Sequence, residues 1–236
     1  MKLAVASPGL RTFTVRGRDE RFPINRVFCV GRNYAAHARE MGKDPTREPP
    51  FFFMKPACAA VDAAQPAQLR YPPKTQNYHH EIELVVAIGT AGQDIPVENA
   101  LEHVYGYAVG LDMTRRDLQL QARDQGRPWE FGKAFSRSAP MGPVHRAADI
   151  GHPTSADITL TVNGQARQSS NIDKLLWSVP ECIAYLSQYE AIEPGDVIMT
   201  GTPEGVGPVS PGDTMRGSIA GLGEIEVAVT ESRRQS

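Results

Sequence analysis

The chain has 236 residues, of which 41% are hydrophobic and 22% charged, so it is long enough to bury a substantial core. Its 25 basic and 27 acidic side chains leave a net charge of −2, which gives no support to a nucleic-acid or anionic-membrane partner. No apolar run reaches the roughly 18 residues of a membrane span, and three widely spaced cysteines indicate reduced thiols. We therefore expect a cytoplasmic protein without a membrane or nucleic-acid partner.

The first half of the chain is predicted to consist mainly of strands joined by loops. A short β element is expected over residues 1–22. Helix-prone residues over 35–41 end at Gly42, and a polar, Pro-rich loop follows over 43–50. Apolar composition predicts four strands and a short helix; the strands cover residues 24–30, 51–54, 80–89 and 104–112, and the helix covers 97–103.

The second half adds two longer helices and a hairpin. Helical composition predicts a helix over residues 114–125 with Thr114 as its N-cap. An alternating strand over 157–162 meets Asn163-Gly164, which is a strong hairpin signal. The remaining elements are a helix over 179–190, a strand over 196–200, a Gly/Pro-rich loop over 201–212 and a strand over 224–230. Because strands dominate without regular β-α-β alternation, we predict a β-rich α+β fold, a roll or barrel-like sandwich with helices on one side.

Three carboxylates occupy positions where apolar strands would ordinarily carry apolar side chains. Glu81 and Glu83 are two residues apart, so a strand places both on one face, and Asp112 ends the next strand. Converging carboxylates repel unless a cation lies among them, and their oxygens suit Mg²⁺ or Mn²⁺. A solvated strand face is the alternative. The neighbouring His79 and His80 are expected to be structural, because a hard cation does not need imidazole ligands.

A second candidate group lies on the predicted helix over 35–41. His37 and Glu40 are three residues apart and share a face of that helix. A carboxylate that orients an imidazole raises its basicity, so the pair could activate a water molecule. An exposed pair on a surface helix is the alternative. The adjacent Pro-rich loop would let this region act as a lid.

Further polar residues follow the Asp112 strand. Arg116 and Gln119 are three residues apart and can point the same way, although a solvated helix charge remains open for Arg116. Lys133 lies between aromatic and small residues, where a partly desolvated ammonium group could bind a carboxylate. The loop over 200–207 could present backbone N–H groups and a threonine hydroxyl to an anion, or be a plain surface turn.

Taken together, these segments resemble the fumarylacetoacetate hydrolase family, over residues 26 to about 229. Singly the motifs are modest, but their joint order is specific. The matching segments are Gly31-Arg32-Asn33-Tyr34 with His37 and Glu40, Lys55-Pro56, His79-His80-Glu81-Ile82-Glu83-Leu84, Gly110-Leu111-Asp112-Met113-Thr114 with Arg116, Asp117 and Gln119, Gly132-Lys133, Asn163-Gly164, and the loop from Thr200 to Gly207.

The resemblance implies a mixed β-sandwich roll with a few peripheral helices and a homodimer. It divides the chain into a short N-terminal β element over 1–22, a catalytic domain over 23–232 with a lid at about 32–50, and a tail over 233–236. The implied site consists of metal ligands Glu81, Glu83 and Asp112 for Mg²⁺ or Mn²⁺, catalytic residues His37, Glu40 and Lys133, and substrate-binding residues Arg32, Tyr34, Arg116, Gln119 and Thr202.

The resemblance also implies an activity. The chain looks like the short acylpyruvate hydrolase branch, so we expect hydrolysis of the carbon–carbon bond of a 2,4-dioxo acid. Fumarylpyruvate from gentisate breakdown is the expected substrate, with fumarate and pyruvate as products. One alternative is decarboxylation of oxaloacetate, or isomerisation or decarboxylation of a hydroxymuconate-type diacid, on the same fold. The more remote alternative is a non-catalytic binding module stabilised by a metal. The sequence leaves the acyl group and the choice of metal open.

Overall fold

The computed structural model describes residues 4–6, 9–35 and 48–232. The pair His37 and Glu40, most of the predicted lid and the tail over 233–236 lie outside these residues. Within the described part of the chain, no helix is long and apolar enough to cross a membrane.

The larger sheet is mixed and contains strands from the whole length of the chain. Its main path follows the order β4-β3-β15-β8-β9-β11-β5, and β12 pairs with β9 beside it. The strands are β3 (Val27–Gly31), β4 (Phe51–Lys55), β5 (Ala60–Asp62), β8 (Ile82–Ile88), β9 (Val104–Leu111), β11 (Ala139–Met141), β12 (His145–Arg146) and β15 (Val197–Met199). The pairs β15–β3 and β11–β5 are parallel, whereas β8 and β9 are antiparallel.

A second, five-stranded sheet has the order β14-β13-β17-β18-β6 and is also mixed. It consists of β6 (Ala67–Arg70), β13 (Asp157–Val162), β14 (Gln165–Asn171), β17 (Thr214–Ile219) and β18 (Gly223–Thr230). Asn163 and Gly164 both have positive φ between β13 and β14, as the predicted hairpin turn requires.

Smaller elements complete the described structure. Two minor sheets contain β1 (Thr12–Thr14) with β2 (Arg21–Pro23), and β7 (Tyr78–His80) between β10 (Thr114–Arg115) and β16 (Gly207–Pro208). The α-helices are α1 (Arg116–Asp124), α2 (Glu130–Lys133), α3 (Ala147–Ile150) and α4 (Val179–Ser187), and short 3₁₀ helices cover Ala57–Ala59, Val97–His103 and Ile172–Lys174.

The β8 strand has apolar side chains on both faces because both faces are covered. Leu84 and Val86 belong to the core that also contains Ile158 of β13. Val85 lies in a second cluster, with Phe13 of β1, on the other side of the large sheet. Burial on both faces explains why this strand is almost continuously apolar rather than alternating.

Several predicted boundaries were wrong: the helix predicted over 179–190 ends at Ser187, the strand predicted over 24–30 begins only at Val27, and two further errors lie close to Glu81 and Asp112. The predicted strand over 80–89 is interrupted at Glu81, so that His80 ends β7 and Ile82 begins β8. The predicted N-cap Thr114 belongs instead to a strand that pairs with His79, and α1 begins only at Arg116. In these last two cases pairing with a segment distant in sequence overrides the local helix or strand preference.

Gly106 on β9 offers a test of this packing. A Cβ atom there would lie 2.1 Å from the carbonyl oxygen of His145, which is backbone and cannot move aside. We expect Gly106→Ala to lower the free energy of unfolding by about 1–3 kcal/mol and to lower Tm in thermal unfolding. Gly207→Ala is the matched control, because its Cβ has room, with His80 Nε2 3.7 Å away. Equal Tm values for the two variants would contradict this packing.

Candidate active site

The three predicted ligand carboxylates meet where β8 begins and β9 ends. Antiparallel pairing sets Glu83 opposite Gly110, and the backbone N–H of Asp112 donates to the carbonyl of Glu81 (2.8 Å). One oxygen from each of Glu81, Glu83 and Asp112 lies within 4.8 Å of the other two. All three residues are buried, at 4%, 2% and 1% exposure. The fold therefore places three carboxylates from separate positions in one spot with little exposed surface.

Two cations are hydrogen-bonded to this cluster. The Lys133 ammonium group donates to Glu81 Oε2 (2.7 Å), Asp112 Oδ2 (2.6 Å) and Thr114 Oγ1 (2.7 Å). Arg116 donates to Glu81 Oε1 and to the Oε1 atom of Gln119. The predicted residues Arg116, Gln119 and Lys133 thus lie together beside the carboxylates. Burial acts to lower the pKa of Lys133, but the negative charges of Asp112 and Glu81 have a larger opposite effect. The pKa of Lys133 is therefore raised above its ordinary value, and its ammonium group stays protonated.

Lys55 is a third buried cation, and the sequence motifs predict no role for it. Its ammonium nitrogen is fully buried and lies 2.8 Å from Asp112 Oδ1, an ion pair without hydrogen-bond alignment. It donates instead to Ser138 Oγ (2.9 Å) and to the carbonyls of Met113 and Lys133. The sequence does contain a signal, because Lys55 directly follows the apolar run over 51–54. A charged residue next to a buried strand indicates buried partners, since charged residues are rarely buried alone.

Among the three carboxylates, Glu83 is the one whose negative charge is least offset by cations of the described structure. It accepts a hydrogen bond from the backbone N–H of Gly201 (2.8 Å), and within the described structure no cation hydrogen-bonds to it. Burial first, and then the negative charges of Asp112 and Glu81, raise its pKa well above the ordinary value. A divalent cation fits this arrangement, because the donors are all carboxylate oxygens and the added charge would relieve their repulsion.

The cluster forms the base of an open pocket. Its described lining is Val30, Gly31, Arg32, Phe53, Glu81, Glu83, Asp112, Arg116, Gln119, Leu120, Arg123, Trp129, Lys133, Gly201 and Thr202. The predicted substrate-binding residues Arg32, Arg116, Gln119 and Thr202 are therefore all on this wall. Tyr34 is buried at 1% exposure and is not among these lining residues, so its proposed contact with substrate stays a prediction.

Thr202 is fixed by hydrogen bonds from Gln168, a residue that no sequence motif singles out. The Gln168 amide nitrogen donates to Thr202 Oγ1 (2.8 Å) and to the carbonyl of Pro203 (2.9 Å). Its amide oxygen lies 3.0 Å from His80 Nδ1 and accepts from the backbone N–H of Ile82 (3.1 Å). Gln168 therefore connects the Gly-rich loop with the strand that carries Glu83.

The two histidines beside Glu81 bond to residues outside the carboxylate cluster. His79 Nε2 lies 2.7 Å from Asn77 Oδ1, and burial together with the positive charge of Arg116 lowers the pKa of His79 to about 4. Burial also lowers the pKa of His80, although its bond to Gln168 opposes the shift. Both imidazoles are therefore neutral at pH 7, in keeping with the structural role that we expect.

The chain belongs to the fumarylacetoacetate hydrolase family, because residues 26–230 match the model of the fumarylacetoacetate (FAA) hydrolase C-terminal domain. This confirms the family resemblance and the strand-rich mixed fold.

Several relatives carry more specific names. A fumarylpyruvate hydrolase of Ralstonia sp is 48% identical, over 79% of this chain and 95% of its own length. A crystal structure of fumarylpyruvate hydrolase from Pseudomonas aeruginosa, in complex with Mn²⁺ and pyruvate, is 58% identical, covers 98% of this chain and 100% of that chain, and has a TM-score of 0.96. The oxaloacetate tautomerase YcgM of Escherichia coli is 40% identical, over 82% of this chain and 88% of its own length.

The metal site can be tested through protein stability. We expect Mn²⁺ at one hundred times its Kd to stabilise the native chain by about 2.7 kcal/mol, and so to raise Tm. Glu83→Gln should abolish the Mn²⁺-dependent rise in Tm without lowering Tm in chelator, because a glutamine can accept the same hydrogen bond from Gly201 and carries no charge at a position where ionisation is already disfavoured. Thermal unfolding with Mn²⁺ and with chelator measures both effects. Glu224→Gln, at an exposed strand position, is the control and should keep the full rise.

Proposed function

We propose that this protein is a hydrolase, dependent on Mn²⁺ or Mg²⁺, that cleaves the C3–C4 bond of fumarylpyruvate to give fumarate and pyruvate. The observation that carries the proposal is the convergence of Glu81, Glu83 and Asp112 with Lys133 at the base of one pocket. The relatives named fumarylpyruvate hydrolase, one of them bound to Mn²⁺ and pyruvate, support the same substrate.

The reaction consumes one water molecule. Hydroxide adds to the C4 carbonyl, and the C3–C4 bond then breaks with its electron pair left on C3. The resulting pyruvate enolate takes up a proton at C3, while the acyl half leaves as fumarate. A divalent cation held by Glu81, Glu83 and Asp112 would supply Lewis acidity that lowers the energy of the carbanion leaving group.

The chain supplies the groups that bind the substrate and move its protons. We propose that His37, oriented by Glu40, takes the proton from water; this assignment rests on the family resemblance, because both residues lie outside the described structure. Lys133 is placed to neutralise charge that develops on oxygen, since its ammonium group is buried beside the carboxylates. Arg116 offers a guanidinium group to a substrate carboxylate, and Thr202 a hydroxyl.

The biological setting is also a proposal. Fumarylpyruvate points to gentisate degradation in the cytoplasm, where the three free cysteines would remain reduced. A homodimer is supported by exposed apolar side chains, namely Phe131 at 82% and Met54 at 47% exposure, the latter on the edge strand β4. Light scattering of the purified chain tests this, and a monomer at micromolar concentration would contradict it.

A second candidate is tautomerisation of oxaloacetate, which needs an enolate but no hydrolytic water. It is favoured by the relatives named oxaloacetate tautomerase, among them YcgM. A solved relative from Mycobacterium smegmatis, 37% identical, is named 5-carboxymethyl-2-hydroxymuconate delta-isomerase, which keeps the isomerase alternative open. The carboxylate cluster at the pocket base would serve either reaction. Only hydrolysis requires a group that activates water, such as the proposed pair of His37 and Glu40.

Turnover of three substrates tests the proposal. We expect the chain with Mn²⁺ to convert fumarylpyruvate into fumarate and pyruvate in equal amounts, and a chelator to stop the reaction. Acetylpyruvate should react more slowly, and oxaloacetate should be tautomerised more slowly still. Product analysis by NMR measures all three reactions. Rapid turnover of oxaloacetate with no cleavage of either acylpyruvate would overturn the hydrolase in favour of the tautomerase.

His37→Ala provides the matching variant in the same assay. Removal of a general base typically costs about 10²- to 10⁴-fold in rate, so kcat for fumarylpyruvate should fall by that factor. The Mn²⁺-dependent rise in Tm should remain, because His37 is not a proposed ligand. His103→Ala, at a partly buried position that is absent from the described pocket lining, should keep a kcat close to that of the wild type. Near-normal hydrolysis by His37→Ala would show that another group activates the water.

A further inference from the structure

The pocket contains cations that the inner carboxylate cluster does not use. In the part of the chain that the structure describes, the acidic side chains on the pocket wall are Glu81, Glu83 and Asp112. Arg32 and Arg123 lie on the same wall, and among the described residues no ion pair joins either of them to the three carboxylates. Among the described residues, Arg32 and Arg123 therefore give the outer part of the pocket a positive charge, which suits a ligand with negative charge at its far end.

Helix α1 connects the inner and outer parts of the pocket. Arg116, Gln119 and Arg123 recur at i, i+3 and i+7, so they share one helical face, and all three line the pocket. With a rise of 1.5 Å per residue, the Arg123 backbone lies about 10 Å along the helix from Arg116. Helical side chains tilt toward the N-terminus, so the long Arg123 side chain can reach back toward the cluster.

The length of a dicarboxylate substrate matches this spacing. The two carboxylate carbons of fumarylpyruvate are six bonds apart. Two successive Cα–Cα steps across trans peptides also span six bonds, and they cover about 7–8 Å when extended. The two carboxylate carbons of the extended substrate are therefore separated by a similar distance. A substrate whose keto-acid end lies at the metal ligands and Arg116 therefore places its second carboxylate within reach of Arg123.

The described contacts of Arg123 can be exchanged for a ligand. Its guanidinium group pairs with Asp124 at 2.8 Å, but the two side chains are 38% and 65% exposed. Exposed pairs of this kind contribute little to stability, so a substrate carboxylate can displace Asp124 at small cost. A guanidinium group can then bind both carboxylate oxygens at once.

Arg32 contributes a second guanidinium group from a different element. It follows β3 with φ of 57°, a left-handed conformation that non-glycine residues seldom adopt outside functional or turn positions. Its guanidinium carbon lies 4.8 Å from the centre of the Phe51 ring, and Phe51 contacts Trp129 edge to face. Trp129 also lines the pocket, so this stack holds Arg32 beside the pocket wall.

We propose that Arg123, assisted by Arg32, forms an outer carboxylate subsite that selects dicarboxylic over monocarboxylic dioxo acids. The inference rests on the proposed function and names the residues that recognise the acyl half of the dioxo acid substrate. Fumarylpyruvate would engage both ends of the pocket, whereas acetylpyruvate, which ends in a methyl group, would engage only the inner end.

The test compares two substrates in Arg123→Gln. Loss of a hydrogen bond to a charged group typically costs about 10- to 100-fold in affinity. We therefore expect the ratio of kcat/KM for fumarylpyruvate to that for acetylpyruvate to fall by that factor, mainly through KM. Arg32→Gln should lower the same ratio less. Arg127→Gln, an exposed arginine beyond the end of α1 and absent from the pocket lining, should leave the ratio unchanged.

Direct binding separates failure of the subsite from failure of the proposed function. Calorimetry of the Mn²⁺-loaded chain should show tighter binding of 2-oxoheptanedioate, an uncleavable dicarboxylate with the same six-bond spacing, than of 2-oxoheptanoate, and Arg123→Gln should remove the difference. This result would sustain the subsite even if the wild type hydrolysed neither dioxo acid. Equal binding of the two ligands to the wild type, or an equal loss of kcat/KM for both substrates in Arg123→Gln, would overturn it.

Discussion

The repulsion among three buried carboxylates is the constraint on which the rest of the site depends. Glu81, Glu83 and Asp112 are almost inaccessible to water, and like charges at this separation in a poorly polarisable interior are costly. Lys133 and Lys55 offset part of that cost through direct contacts with Asp112. For Glu83, to which no cation hydrogen-bonds within the described structure, burial and the neighbouring carboxylates raise the pKa well above its ordinary value.

The fold converts this constraint into a rigid arrangement. Glu81 and Asp112 are joined through their backbones at the junction of β8 and β9, and Glu83 is fixed from the side by Gly201. Gln168 belongs to the other sheet, yet it bonds to the backbone of Ile82 and to Thr202. Both sheets therefore determine where the pocket wall lies, which suits chemistry that depends on fixed geometry.

Much of this could be read from the sequence, and the exceptions have a common cause. The meeting of Glu81, Glu83 and Asp112 was predictable because charged residues within or directly beside apolar strands are a local signal. Lys55 and Gln168 were missed because their partners are remote: Gln168 meets His80 from 88 positions away, and Lys55 meets Lys133 from 78. Thr114 was misplaced as an N-cap for the same reason, since its pairing with β7 is set by tertiary structure. Local patterns identify charged residues in unusual places, whereas the topology decides which of them meet.

The central claim is that one divalent cation binds among the carboxylates of Glu81, Glu83 and Asp112. Diffraction from crystals grown with Mn²⁺, collected near the manganese absorption edge, tests it most directly. The account predicts a single anomalous peak bonded to one oxygen of each carboxylate, at about 2.0–2.3 Å as is usual for hard cations with oxygen ligands. An anomalous peak held by His79 or His80, or none within this cluster at saturating Mn²⁺, would contradict it.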